Sequence, residues 1–162
     1  MDVMELLKII EEGEGNSIEF KKSTNDITKD VYDTVCSFSN RDGGHILLGV
    51  KDNGEILGVD EAAIPKMKKD FVTAINNANK LNPPLYLQIE ECDVDDKKIL
   101  YIYVPVSSQV CRHHGRIFDR NNDSDIDITD NTDLVYQLYA RKSGSYFVNK
   151  VTRFGIEDLR SD

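Results

Sequence analysis

Glu14, Glu19, Lys21 and Asp52 are the residues whose types and spacing could carry chemistry. Glu19-Phe20-Lys21 puts a carboxylate and an ammonium two positions apart, so on a strand they share one face. Metal-dependent cleavage of a phosphodiester needs hard oxygen ligands for the ion and a cation to offset charge in the transition state. Glu14, beyond Gly15, can fold back to the same place, and Asp52 can supply a third carboxylate. Magnesium or manganese would be the ion for such a set of oxygens. A plain reading fits the same residues: Glu19 and Lys21 on a solvated strand face, Glu14 at a helix end, Asp52 in a turn. Spacing alone favours the plain reading.

A second cluster is basic. Arg112-His113-His114-Gly115-Arg116, with Arg120 close behind, offers guanidinium groups that clamp phosphates and imidazoles that add a pH-dependent charge. Lys21 and Lys22, Lys66, Lys68 and Lys69, and Arg141 and Lys142 are further cationic groups. Ordinary surface charge is the alternative, and it is the better reading for the lysines that follow Pro65. Zinc is disfavoured, because His113 and His114 are adjacent and no Cys pair has ligand spacing.

The segment from Asp119 to Asp130 is acidic and resembles part of a calcium loop. It lacks the glycine at the sixth position and the bidentate glutamate at the twelfth, so an acidic turn before a helix is the better reading. Gly43-Gly44 follows Asn40, Arg41 and Asp42, and glycines there permit close backbone approach. No phosphate-binding glycine pattern occurs, and a helix-to-strand turn faces the wrong end of a helix for an anion. Tight packing is favoured there over nucleotide binding.

These residues need elements to position them. The apolar spacing predicts a helix over Val3 to Glu12, then a strand over Ser17 to Lys21. Ile27, Val31, Val35 and Phe38 form a helical stripe, with Asp26 as its expected N-cap. Ile46 to Val50 is a continuous apolar run and reads as a buried, central strand beside the first. Asn53-Gly54 predicts a hairpin into a strand near Glu55 to Val59. A helix begins near Pro65 and stops before Asn82-Pro83-Pro84. Strands over Leu85 to Cys92, Lys98 to Val104 and Arg116 to Asp119 follow, then a polar loop. A last helix around Leu134 to Tyr139 is expected to end near Ser143-Gly144. The fold class is α+β, with a mixed, mostly antiparallel sheet packed with helices.

The chain has 162 residues, enough for one domain with a tail. Leu, Ile, Val and Phe account for 46 of them, above the level of about 20% below which disorder is expected. Three cysteines argue against a disulfide framework and suit a reducing, cytoplasmic setting. No apolar run approaches membrane-spanning length, and no signal peptide is visible. The net charge of −9 repels nucleic acid at long range, so any such binding depends on particular residues.

Taken together, the motifs resemble the Schlafen AlbA-type domain family. The matching pieces are Ser17-Ile-Glu-Phe-Lys-Lys-Ser23, Ser37 through Gly54, Gly58-Val59, Tyr101 through Ser108, and Gly115-Arg-Ile-Phe-Asp-Arg120. The resemblance spans roughly residues 10 to 143. It implies a Schlafen AlbA-like domain over 1–145, with 146–162 a tail or connector to a following C-terminal region. It also implies a nucleic-acid-binding module of a bacterial transcriptional regulator. Lys21, Lys22, Arg112, His113, His114, Arg116 and Arg120 would then contact DNA or RNA. A homodimer would supply the second side of a groove.

In the vertebrate branch of the family the domain forms an RNA-cleaving core with three acidic residues, which match Glu14, Glu19 and Asp52. The alternative function is therefore a metal-dependent endoribonuclease, with Lys21 steadying the developing charge. Three departures bear on this, the first being that the vertebrate core uses two such lobes facing each other and this chain has one. Gln109-Val-Cys-Arg112 replaces the family's frequent Arg-Pro, and Asp119-Arg-Asn replaces its Arg-Val-Gly. ATP binding, sometimes attributed to the family, has no phosphate loop here.

Overall fold

The computed structural model describes the backbone of residues 1–153 and the side chains of residues 1–144. Its elements are α1 (Val3–Glu12), β1 (Ile18–Lys21), α2 (Lys29–Asn40), β2 (Gly44–Leu48), a 3₁₀ turn (Glu61–Ala63), α3 (Ile64–Ile75) and β3 (Leu81–Asn82). Then come β4 (Ile89–Val94), β5 (Lys97–Val104), β6 (Arg112–His113), β7 (Phe118–Asn121), β8 (Ser124–Asp127) and α4 (Thr132–Arg153). The main sheet has the order β1-β2-β5-β4, with β1 parallel to β2 and the other pairs antiparallel. Two short ribbons, β3–β6 and β7–β8, stand apart from it. The architecture is α+β.

β2 is central because neither of its faces has anything to offer water. Ile46 and Leu48 enter a core with α2 and α3, while Leu47 packs on the other face with Phe20 and Leu6 of α1. Each such side chain contributes about 1.5–3 kcal/mol when fully buried. The Gly43-Gly44 turn is tight for the same reason. A Cβ on Gly44 would lie 2.7 Å from the Phe38 ring and from the Ser17 carbonyl. A third cluster, Ile117, Ile128 and Leu138, fixes α4 against the segment around the β7–β8 ribbon.

Several expected elements differ. The cap of α2 is Thr28, not Asp26, since the helix starts only at Lys29. The strand expected over Glu55 to Val59 is a single bridge, Val50 to Ile56. The strand expected from Leu85 begins at Ile89, because Pro83 and Pro84 have no N–H to give a ladder. Leu81–Asn82 pairs with Arg112–His113 instead. The polar loop after Asp119 is a hairpin whose turn holds Asn122 at φ 55°, a conformation Asn tolerates. The last helix does not stop at Ser143-Gly144 but runs to Arg153, since a lone glycine costs a helix only about 1 kcal/mol. The connector expected over 146–162 thus starts inside α4, and residues 154–162 lie outside the described residues.

Candidate functional site

β1 alternates as its sequence dictates. Ile18 and Phe20 face α1, while Glu19 and Lys21 face α2. Glu19 is nonetheless only 7% exposed, because the β7–β8 ribbon covers that side. A buried carboxylate must be paired, or it costs several kcal/mol. Its Oε2 accepts from Arg120 at 3.1 Å, and its Oε1 lies 3.2 Å from Lys21 Nζ. Lys21 also donates to Asp30 of α2 at 2.7 Å. Burial works against the Lys21 charge, but hydrogen bonding to Asp30 and the Glu19 carboxylate hold its pKa above the ordinary value.

Arg120 is fully buried, and every donor it directs has a protein acceptor. These are the carbonyls of Gly15 and Ile18, the Glu19 carboxylate, and Asp125 Oδ1 at 2.8 Å. Its guanidinium also lies 4.8 Å from the Phe38 ring centroid. Asp125 is held in turn by the Thr34 and Ser37 hydroxyls of α2. Arg120 is therefore a clasp joining the β1 edge, α2 and the β7–β8 ribbon, with no face left for a phosphate.

Glu14 folds back as its position allows and accepts the Phe20 N–H at 3.1 Å. Desolvation, then a hydrogen bond with the Glu19 carboxyl, pushes the Glu14 pKa up to about 7, with the charges of Glu19 and Asp52 adding to the shift. Glu14 thus keeps its proton to near neutrality beside Glu19. Asp52 is exposed and near enough to be felt. Among the described residues no three carboxylate, His or Cys groups converge on a single point suited to a metal ion. Four carboxyls (Glu14, Glu19, Asp30, Asp125) face two cations (Lys21, Arg120), so the site carries surplus negative charge.

The basic cluster is split. His113 is 2% exposed, and its Nδ1 lies 2.6 Å from Asp33 Oδ1. Arg116 donates to Asp127 at 2.8 Å and to Asp130 at 3.0 Å. Arg112 donates to the Tyr139 hydroxyl and pairs with no carboxylate among the described residues. Lys22 is exposed elsewhere, beyond the end of β1. His114 is exposed, at φ 49° in the turn after β6.

What gathers around His114 was not legible in sequence. Its backbone N–H donates to the Lys80 carbonyl, because β3 and β6 pair. Slight desolvation, then the charges of His113, Lys29 and Lys80, push the His114 pKa down. Lys29 and Lys80 are exposed and form no ion pair among the described residues. The result is an exposed pair of cations, Lys29 and Lys80, beside the exposed His114. No local motif marks Lys29 or Lys80; only the long-range β3–β6 pairing brings Lys80 to the histidine.

A family model described as Schlafen, AlbA_2 matches residues 14–129. Among solved structures, the chain is similar to the N-terminal domain of a RecG-related protein from Nitrosomonas europaea. The identity is 28% and the TM-score 0.48, over 62% of this chain and 72% of that one. It is also similar in fold to the DIP2311 protein of Corynebacterium diphtheriae. There the identity is 17% and the TM-score 0.53, over 77% of this chain but 29% of that one. No curated protein matches. No helix among the described residues is long and apolar enough to cross a membrane.

Proposed function

The chain belongs to the Schlafen AlbA_2 family, and from that premise we propose that it is a nucleic-acid-binding domain of a transcriptional regulator. One observation carries the reading to particular residues: exposed Lys29 and Lys80 lie near His114 and form no ion pair among the described residues, and half-buried Arg112 likewise pairs with no carboxylate among them. Unpaired surface cations can exchange solvent counterions for phosphates, whereas Arg116 and Arg120 would first have to leave their aspartates. In a chain of net charge −9 such a patch acts locally and not by long-range steering. Contact through a few cations to backbone phosphates gives affinity with little sequence preference. A homodimer would double the patch, and light scattering with and without DNA tests that.

The test is fluorescence anisotropy with duplex and single-stranded oligonucleotides over a salt series. Log affinity should fall linearly with log salt, by about 0.9 per phosphate contacted on a duplex. Absent binding at low salt, or binding indifferent to salt, would refute the reading.

The Glu14–Glu19 pair favours a second reading, a metal-dependent endoribonuclease. Crowded carboxyls are relieved of mutual repulsion by a divalent cation, and Glu14 is raised to about 7 beside Glu19. Glu14 and Glu19, with Asp52, would hold magnesium or manganese, which would supply an activated water and offset charge on the phosphoryl group. Lys21 would keep its charge through Asp30 and Glu19 and steady the leaving strand. Manganese at a hundredfold excess over its dissociation constant should then stabilise the fold by about 2.7 kcal/mol. Glu14→Gln should abolish that gain together with any cleavage of structured RNA. No manganese shift and no cleavage by the wild type would remove this reading.

A further inference from the structure

A cavity of about 350 Å³ opens between the loop after β5 and α4, lined by Ser108, Gln109, Val110, Tyr139, Lys142 and Ser143. Lys142 is the unusual member. Its side chain is 7% exposed, and its ammonium donates to the carbonyls of Ser39 at 2.9 Å and Ser107 at 2.6 Å. These bonds place a cation at the C-terminus of α2, where the helix carbonyls carry partial negative charge. They use two of its three hydrogens. No carboxylate pairs with it among the described residues. Asp119, the carboxylate nearby, is already taken by Arg41 and Arg141.

A buried ammonium without a counter-charge is an expensive arrangement, and its pKa records the cost: burial, then the Arg141 charge, brings it down to about 8. A second observation lies beside it. Ser39, whose carbonyl receives the Lys142 hydrogen but which does not itself line the cavity, has a hydroxyl that is buried with no hydrogen-bond partner among the described residues. Buried polar atoms are rarely left so, and each such exception calls for an explanation.

The lining has the chemistry of an anion site. Ser108, Ser143 and the Gln109 amide add donors to Lys142, and there is no carboxylate among the described lining residues. Arg112 donates to the Tyr139 hydroxyl at 3.1 Å and so stands at the rim, two residues before His114 in the chain. A phosphate monoester offers three strong acceptor oxygens and a charge of about −1.5 to −2. An internal diester carries chain on both sides and one charge; a terminal monoester carries chain on one side only and can reach a buried ammonium.

We propose that this cavity binds a terminal phosphate monoester, held by Lys142, Ser143 and Gln109 with Arg112 at its rim. The inference rests on the nucleic-acid reading above for its larger ligand, the phosphorylated end of a strand. A free nucleoside monophosphate presents the same group.

The experiment compares oligonucleotides of one sequence bearing a 5′-phosphate, a 3′-phosphate or neither, alongside a nucleoside monophosphate and inorganic phosphate as competitors. Binding of the unphosphorylated strand reports on the nucleic-acid reading alone; the increment from a terminal phosphate reports on the cavity. A terminal phosphate should tighten binding by about tenfold, or 1.4 kcal/mol. Lys142→Met should erase the increment and leave the unphosphorylated strand unaffected. Gln109→Glu changes an exposed residue at the mouth, spares the fold, and should erase it too. A monophosphate that competes with no strand-end increment would support the site and assign it to the free nucleotide. No increment and no competition would overturn the proposal, as would an increment that survives Gln109→Glu.

Discussion

The β1 edge and the β3–β6 ribbon both gather cations in one small domain, and they hold them in opposite ways. At the β1 edge, Arg120 and Lys21 are surrounded by Glu19, Asp30 and Asp125, and Arg120 has no exposure at all. At the ribbon, Lys29, Lys80 and His114 stand in solvent, and the nearby Asp33 is taken up by His113. Residue type does not separate the two regions, since arginine is the better phosphate clamp in the abstract. The supply of carboxylates does. A cation already paired inside the protein holds the fold, and an unpaired one is available to a ligand.

The largest effect is expected at the clasp. Arg120→Met leaves the partly buried Asp125 without its cation and the buried Glu19 with Lys21 alone, and breaking a buried pair costs about 3–5 kcal/mol. Urea denaturation should show that loss. A melting midpoint equal to wild type would mean that the clasp is not structural and would erase the contrast. Next in size is the ribbon. Lys29→Ala with Lys80→Ala should lower the salt slope by about 2, one for each phosphate that the two lysines would hold, with stability nearly unchanged. Equal salt slopes in the double variant and wild type would remove the patch from the interface.

The carboxyl pair sharpens the contrast through pH. Glu14 has a folded pKa of about 7 against an ordinary 4.5, so the folded chain binds more protons than the unfolded chain between those values. The stabilisation is complete below about pH 4.5 and is lost as pH rises through 7. Glu14→Gln should flatten this part of the stability profile, which denaturation at a series of pH values would reveal. The smallest effect is expected at Arg116, whose pairs with Asp127 and Asp130 are partly solvated. Arg116→Ala should change stability by no more than about 1 kcal/mol and leave oligonucleotide affinity within twofold or so. A large drop in affinity would return Arg116 to the interface.

Much of this was legible in the residues. The apolar run Ile46 to Val50 made a central strand because no alternation was present to expose one side. Period two in Ser17 to Lys21 put Glu19 and Lys21 on one face, and Glu14 returns to that face over Gly15. What local pattern could not carry was pairing at long range. The β7–β8 ribbon has a nearly all-polar second strand, so it read as a loop, and with it went the reason Arg120 is buried. The β3–β6 pairing joins Lys80 to His114 across more than thirty residues and leaves no mark in either segment. Lys142 was visible only as half of an Arg-Lys pair; its burial depends on where α4 meets the end of α2.

On the proposed reading, carboxylate pairing and not residue type would sort the cations of this domain into structural and ligand-binding groups. The most direct measurement is the salt dependence of oligonucleotide affinity for wild type, for Lys29→Ala with Lys80→Ala, and for Arg116→Ala, at matched and verified folding. Sorting by pairing predicts a shallower slope for the lysine pair and an unchanged slope for Arg116→Ala. A slope that falls for Arg116→Ala and holds for the lysine pair would contradict it.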